Sequence, residues 1–249
     1  MDFVKVEGLG NDFIVVDHEP DAAMIPAWCA RHTGIGADGV LLIESVDATR
    51  VVMRYWNADG GEVEMCGNGL RALAVLAVED GMVDGSDFIV QSAIGDHAVS
   101  VLADGMVRAF VGRPHEFRTE EMMVAGHAVR PVAVGNPHAV LFVDDVTEAP
   151  VADVGASIEH DPLFPDGVNV EFVERTEGDR IKVRVWERGV GETAASGTGA
   201  TAAAYAARAT NRLGDSVIVE LAGGDLLVEF DDVGAWMTGP ASIVYRGTL

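Results

Sequence analysis

Residues 53–78 read MRYWNADGGEVEMCGNGLRALAVLAV, and residues 183–208 read VRVWERGVGETAASGTGATAAAYAAR. Laid over one another without a gap, 130 positions apart, Arg54 meets Arg184, Trp56 meets Trp186, Gly61 meets Gly191 and Glu62 meets Glu192. Gly67 and Gly69 meet Gly197 and Gly199, while Ala72, Ala74 and Ala77 meet Ala202, Ala204 and Ala207. Just ahead of the first glycine stands Cys66 in one copy and Ser196 in the other.

The likeness extends outward from these loops. Gly10-Asn11 returns as Gly135-Asn136 at an offset of 125, and Asp38-Gly39-Val40 as Asp166-Gly167-Val168 at 128. Gly95-Asp96 returns as Gly224-Asp225 at 129. Offsets that hold within a few residues along the whole chain identify a tandem duplication of one α/β unit, joined near residues 112–127. Residues 3–17 are two apolar runs broken by Gly8-Leu9-Gly10-Asn11-Asp12, which predicts strand, turn, strand. A short helix is expected from Pro26 to His32, and strands over 39–45, 51–56, 87–92, 97–102 and 106–111. Each glycine-rich loop opens a helix, the first from about Leu70 to Asp80. Leu70–Val78 and Ala200–Ala207 are apolar on nearly every side, so both helices are expected to be buried all round, each wrapped by the strands of its own half. Two such halves meeting face to face would leave a cleft between the helix starts.

Composition narrows the function. With 40 acidic against 17 basic residues, a formal charge of −23 argues against nucleic acid or an anionic membrane as partner. Acidity of this kind fits either a solvated surface or adaptation to high salt, where screening removes self-repulsion. No apolar run is long enough to cross a membrane and residues 1–20 do not resemble a signal peptide, so a cytoplasmic location is expected. The two cysteines, Cys29 and Cys66, make no disulfide framework.

Glycines ahead of a helix free its first N–H groups to face a ligand, and with the helix dipole they form a site for a carboxylate or phosphate. Neither loop has the spacing of a Walker or dinucleotide loop, which disfavours a nucleotide. A thiol at such a helix start is favoured as thiolate, so Cys66 reads as reactive. Cys29, on a short amphipathic helix, reads as structural.

Six stretches together resemble diaminopimelate epimerase over essentially the whole chain. They are residues 8–13, residues 34–39, Asn57 to Gly69, Gly135-Asn136-Pro137-His138, Glu187 to Thr193 and Gly197-Thr198-Gly199. The resemblance implies an α/β (α+β) fold of two homologous domains. Each would be a curled, largely antiparallel β-sheet around a central helix, with the active site in the cleft between them. The domains would span 1–116 with a returning C-terminal strand in 241–249, and 117–240. The implied reaction inverts one α-carbon of LL-2,6-diaminopimelate to the meso form, on the route to lysine and peptidoglycan, without pyridoxal phosphate, metal or nucleotide. One base removes the weakly acidic α-proton while an acid delivers a proton to the other face. By the same resemblance Cys66 and Ser196 are the catalytic positions. Gly67, Asn68, Gly197 and Thr198 hold the reacting carboxylate, and Asn11, Asn57, Asn136, Asn169, Glu187 and Arg188 bind the remaining polar groups of the amino-acid substrate. His138 supports a catalytic group, and the assembly implied is a homodimer.

The resemblance breaks at Ser196, where the family carries its second cysteine. A hydroxyl does not ionise near neutrality, so Ser196 needs a neighbouring base to mirror Cys66, and the sequence names none. Three enzymatic outcomes stay open. The chain is an engineered Cys→Ser variant, or an epimerase that tolerates serine, or a one-base enzyme that removes a proton through Cys66 and expels a β-substituent. The last is associated, in the wider superfamily, with serine or threonine in members related to proline racemase. A non-catalytic protein that binds a diamino acid is the fourth.

Overall fold

The structure is a computed structural model that describes residues 1–118, 121–210 and 213–248. The chain divides into two compact units, one of residues 1–110 with 238–249 and one of residues 111–237. The divisions lie a few residues ahead of the expected 116/117 and 240/241. They fall inside strands rather than in the connecting segment, where no turn motif marks them in the sequence.

In the first unit β1 (Asp2–Gly8) and β2 (Asn11–Val16) form an antiparallel pair. Leu9 at φ 57° and Gly10 at φ 79° make the reversal between them. After α1 (Ile25–Cys29), β3 (Gly39–Asp47) lies parallel to β2, and β4 (Arg50–Asn57) antiparallel to β3. The two-residue strand β5 (Glu62–Val63) leads into α2 (Gly67–Glu79), after which β6 (Asp87–Ser92) returns parallel to β4. Antiparallel strands β7 (Gly95–Val101) and β8 (Met106–Gly112) complete this run.

The second unit repeats the order. Short strands β9 (His115–Glu116) and β10 (Met122–Val124) flank β11 (His127–Ala133), which pairs with β12 (Pro137–Phe142). Helix α3 (Val151–Glu159) follows, then β13 (Asn169–Arg175), parallel to β12, and β14 (Arg180–Glu187) with the short β15 (Gly191–Thr193). Helix α4 (Gly197–Ala209) separates these from β16 (Ser216–Leu221), β17 (Gly224–Phe230) and β18 (Ala235–Pro240). The last strand, β19 (Ser242–Thr248), pairs antiparallel with β1 and so belongs to the first unit, as expected. Each unit is thus a mostly antiparallel sheet with parallel joints where a helix intervenes.

The glycine and alanine content of α2 and α4 explains their place in the fold. Ten residues of α2 and nine of α4 are buried. Around α2, Phe13, Leu41, Met53, Tyr55, Phe88 and Val99 close one continuous core. Both helices begin at the loop glycine, three residues ahead of the expected Leu70 in α2, because the residue before it already caps the helix. Helix α2 is not wholly apolar, since Arg71 is fully buried within it.

Helix α1 is shorter than the expected 26–32. Gly34 folds back over it so closely that a Cβ there would lie 2.1 Å from the Ala27 carbonyl oxygen. Helix α3 went unread in the sequence. Its Gly155 is where it lies against Trp186, since a Cβ there would meet the indole Cγ at 2.6 Å. Among the described residues no helix is long and apolar enough to cross a membrane.

Candidate active site

The site of the first unit is built on the start of α2. Cys66 has extended backbone (φ −134°, ψ 118°), and its Sγ accepts the N–H of Gly69 at 3.4 Å. A thiol thus occupies the capping position that Ser, Thr or Asp usually fills. Its second contact is the Oδ1 of Asn11, 3.8 Å from Sγ. Asn11 stands at the head of β2, immediately after the Leu9-Gly10 turn, and Asn68 Nδ2 donates to the same Oδ1 at 3.2 Å. Asn68 is in turn held by Nη2 of Arg71 at 2.8 Å. Burial pulls the Arg71 guanidinium down to about 10, while the negative charges of Cys66 and Glu7 resist that change. Arg71, Asn68, Asn11 and Cys66 therefore form one hydrogen-bonded line from the core to the thiol.

Behind Asn11 lies an ionic layer. Asn11 Nδ2 donates to Asp38 Oδ2 at 2.7 Å, and Arg31 bridges Asp38 (2.5 Å) and Asp12 (2.8 Å). Lys5 is buried, donates to the carbonyl of Gly36 and reaches Asp12 Oδ2 at 2.6 Å. Burial works to raise the Asp12 carboxyl, but hydrogen bonds from Arg31 and Lys5 win and hold it below the ordinary range. Asn57 closes the turn after β4 through its backbone, accepting from Gly60 and donating to Gly61, each at 2.9 Å. Cys29 packs among Ile14, Ile25 and Trp56, and burial pushes its thiol up to about 11, which makes it inert beside Cys66.

The site of the second unit is built the same way on α4. Ser196 has the same extended backbone (φ −133°, ψ 123°) and its Oγ accepts the N–H of Gly199 at 3.2 Å. It is 5 % exposed. The backbone N–H groups of Gly197 and Thr198, like those of Gly67 and Asn68, belong to the first turn of a helix. Thr201 occupies the place of Arg71, its hydroxyl donating to the Gly197 carbonyl at 2.8 Å. Asn136 follows Gly135 (φ 77°), and its Oδ1 lies 2.9 Å from His138 Nε2. His138 Nδ1 lies 2.7 Å from Glu171 Oε1, and both side chains have no exposed surface. Burial pushes the Glu171 carboxyl above the usual carboxylate range, against the opposing pull of His138.

On the neighbouring strand, Asn169 sits beside His138 in register and receives the backbone N–H of Arg188 at 3.0 Å. Arg188 Nη1 donates to the Asp166 carbonyl at 3.1 Å, and its aliphatic part lies over Gly167, whose φ of 75° only a glycine adopts freely. Glu187 Oε1 accepts the Thr193 hydroxyl at 2.5 Å. Glu159 steadies the following turn, accepting from Trp186 Nε1 at 2.6 Å and from the Gly189 N–H at 2.8 Å.

Two residues of these sites escape the sequence pattern: Arg71 and Glu171. Each is a single charge in an otherwise apolar run of a buried element, which is the one local signal that could have pointed to it. Among the described residues no group of three His, Cys, Asp or Glu side chains is placed to hold a metal ion.

Comparison with known proteins identifies the family. The family profile described as "Diaminopimelate epimerase" matches residues 3–115 and 131–244. A protein of that name from Moorella thermoacetica is 42 % identical over 274 aligned positions, covering 99 % of this chain and 98 % of the relative. One from Halothermothrix orenii is 39 % identical, covering 100 % and 98 %. Among solved structures, a hydroxyproline epimerase from Agrobacterium vitis superposes with a TM-score of 0.79 at 14 % identity, over 99 % of this chain and 91 % of that one. A PhzF-family phenazine biosynthesis protein from Bacillus anthracis does so with a TM-score of 0.75 at 15 % identity, over 100 % and 98 %. At such identities these two speak for the fold alone.

Proposed function

The chain belongs to the diaminopimelate epimerase family, and we propose that it inverts one α-carbon of LL-2,6-diaminopimelate by two-sided proton transfer, with Cys66 and Ser196 as the reacting residues. The reaction is cofactor-independent. The observation that carries this assignment is the matched pair of helix caps. A thiol and a hydroxyl each accept the N–H of the third residue of a buried helix, and each is followed by a glycine-bounded first turn.

Removing an α-proton leaves negative charge that spreads onto the carboxylate. Backbone N–H groups at Gly67-Asn68 and Gly197-Thr198 are fixed dipoles aimed at such charge, and they need no reorganisation as it develops. Cys66 removes or returns the proton on one face. The Asn11–Asn68–Arg71 line keeps its sulfur in one position and sets positive charge behind it. Ser196 serves the second proton transfer. Asn57, Asn136, Asn169, Glu187 and Arg188 recognise the amino and carboxylate groups of the rest of the substrate, where forked Arg188 suits a carboxylate. His138 supports the Ser196 side. We further read the protein as cytoplasmic and homodimeric, with no nucleic-acid or membrane partner, in keeping with its charge of −23 and its family. Light scattering checks the dimer.

The test follows LL- and meso-diaminopimelate with the protein in heavy water, reading α-proton washout and stereochemistry together. Inversion with solvent label is the expected result. Washout without inversion would mean that Cys66 works alone, and no exchange from either isomer would remove diaminopimelate as substrate.

A further inference from the structure

A serine asked to mirror a thiol needs a group that supplies and takes its proton. The internal duplication shows where to look, because the strands and buried helix of one unit have counterparts in the other. Parallel register pairs Phe13 with Gly39 and Val15 with Leu41 in the first unit, and His138 with Asn169 and Val140 with Glu171 in the second. By this register Gly39 answers to Asn169, not to Gly167 as the sequence offset of 128 has it, so His138 takes the place of Phe13 and Glu171 the place of Leu41.

The backing of the two helix caps differs accordingly. A Cβ built on Gly69 would meet the Leu41 methyls at 3.1 and 3.3 Å and Cys66 Cβ at 3.4 Å. A Cβ built on Gly199 would meet Glu171 Oε1 at 2.9 Å, with Ser196 Cβ and Oγ both at 3.1 Å. The same small space that is lined by hydrocarbon behind the thiol is lined by a carboxyl behind the hydroxyl. Glu171 has no exposed surface, and among the described residues its Oε2 has no hydrogen-bond partner. A buried carboxyl oxygen without a partner is costly, and such a group is seldom retained without a role.

We propose that Glu171 is the acid–base group of the Ser196 side, acting through the serine hydroxyl, with His138 holding the carboxylate when it is ionised. This rests on the epimerase assignment above. In delivery to the substrate, the Ser196 O–H bond breaks as the Cα–H bond forms, and the Glu171 carboxyl proton moves to Oγ. No alkoxide is left, and the negative charge comes to rest on the Glu171 carboxyl beside His138. Removal of an α-proton is the reverse. A thiol is itself acidic enough to give up its proton near neutral pH, and the space behind Cys66 is lined by the hydrocarbon of Leu41.

The experiment compares Glu171→Gln, Glu171→Asp, Ser196→Cys and the Glu171→Gln/Ser196→Cys double variant with the unaltered protein. Each is given both diaminopimelate isomers in heavy water. Glu171→Gln keeps the size and the contact to His138 but holds no acid. It should lower inversion about 100-fold, the range of general acid–base catalysis, while washout through Cys66 persists and shows that the site is intact. Glu171→Asp should keep more inversion than Glu171→Gln. Adding Ser196→Cys to Glu171→Gln should restore inversion to within about 10-fold of Ser196→Cys alone, because a thiol carries its own proton. Unchanged inversion in Glu171→Gln, equal rates for the Asp and Gln variants, or no rescue by the thiol would each overturn the proposal and leave the epimerase assignment standing. Absence of exchange in the unaltered protein would overturn both.

Discussion

Replacing Arg71 with methionine separates what this residue does for the fold from what it does for the site. Its guanidinium is fully buried, and burial draws its pKa down to about 10. A base whose pKa is lower in the folded chain binds its proton less well there. At neutral pH the group is charged both folded and unfolded, so the full penalty, on the order of 3 kcal/mol, opposes folding. Against it stand hydrogen bonds to Asn68 Oδ1 at 2.8 Å and to the carbonyls of Gly67 and Pro240 at 3.4 Å each. A charged bond of good length contributes about 1.5–3 kcal/mol, and the two long ones less. Methionine fills comparable space with an adaptable apolar chain, so gain and loss nearly cancel.

Arg71→Met is therefore expected to unfold in urea within about 2 kcal/mol of the unaltered protein. Its chemistry should suffer more. Without Nη2, the Asn68 amide loses the group that orients it. Asn11 then loses its donor, and the sulfur of Cys66 loses both a fixed neighbour and a nearby positive charge. Washout through Cys66 in heavy water should fall about 10- to 100-fold. An unaltered rate would refute the line from Arg71 to the thiol. A loss beyond about 4 kcal/mol in stability would show that the residue is retained for the fold instead.

Four further outcomes are expected. Folded Glu171 holds its proton above 4.5 and releases it on unfolding, so its contribution is full below pH 4.5 and declines as pH rises toward its folded value. Urea titrations across that range should show the unaltered protein losing up to about 1.4 kcal/mol per pH unit relative to Glu171→Gln, and parallel curves would contradict the raised carboxyl. Ser196→Cys should speed inversion about 10-fold or more, measured by the approach of the LL isomer to equilibrium with the meso form. Gly199→Ala should destabilise more than Gly69→Ala, by about 1–3 kcal/mol in thermal unfolding, because its Cβ meets a fixed carboxyl rather than leucine methyls. Cys29→Ala should leave inversion and thiol alkylation at neutral pH unchanged, since only Cys66 is reactive.

What the sequence discloses follows from which features are periodic or repeated. The duplication was readable because Gly67-x-Gly69 and Gly197-x-Gly199 do a backbone task that no other residue does as well. The buried helices were readable because alanine and leucine cover all their faces. Helix α3 was hidden, for Gly155 in its middle reads as a breaker until Trp186 is seen against it. Arg71 was hidden by its apolar neighbours, and its meaning lies in Asn68 one turn back and Asn11 far away in the chain. Glu171 shares a strand with valines and a phenylalanine. Only the register that sets β12 beside β13, and the contrast with Leu41, gives it significance. Single motifs mark the reacting positions, whereas the residues that tune them depend on strand pairing.

The return of β19 to β1 has a consequence for how the chain comes into being. All residues of the second unit, 111–237, emerge from the ribosome as one uninterrupted piece, whereas the first unit lacks a strand until residues 242–248 have been made. During synthesis β1 therefore waits with one edge open, and Ala241 and Ile243 are missing from the core around α2. An open strand edge invites pairing with other chains. The half of the molecule that is translated first is thus the half that is finished last. A ribosome stalled near Pro240 would carry a first unit without its last strand, exposed to aggregation.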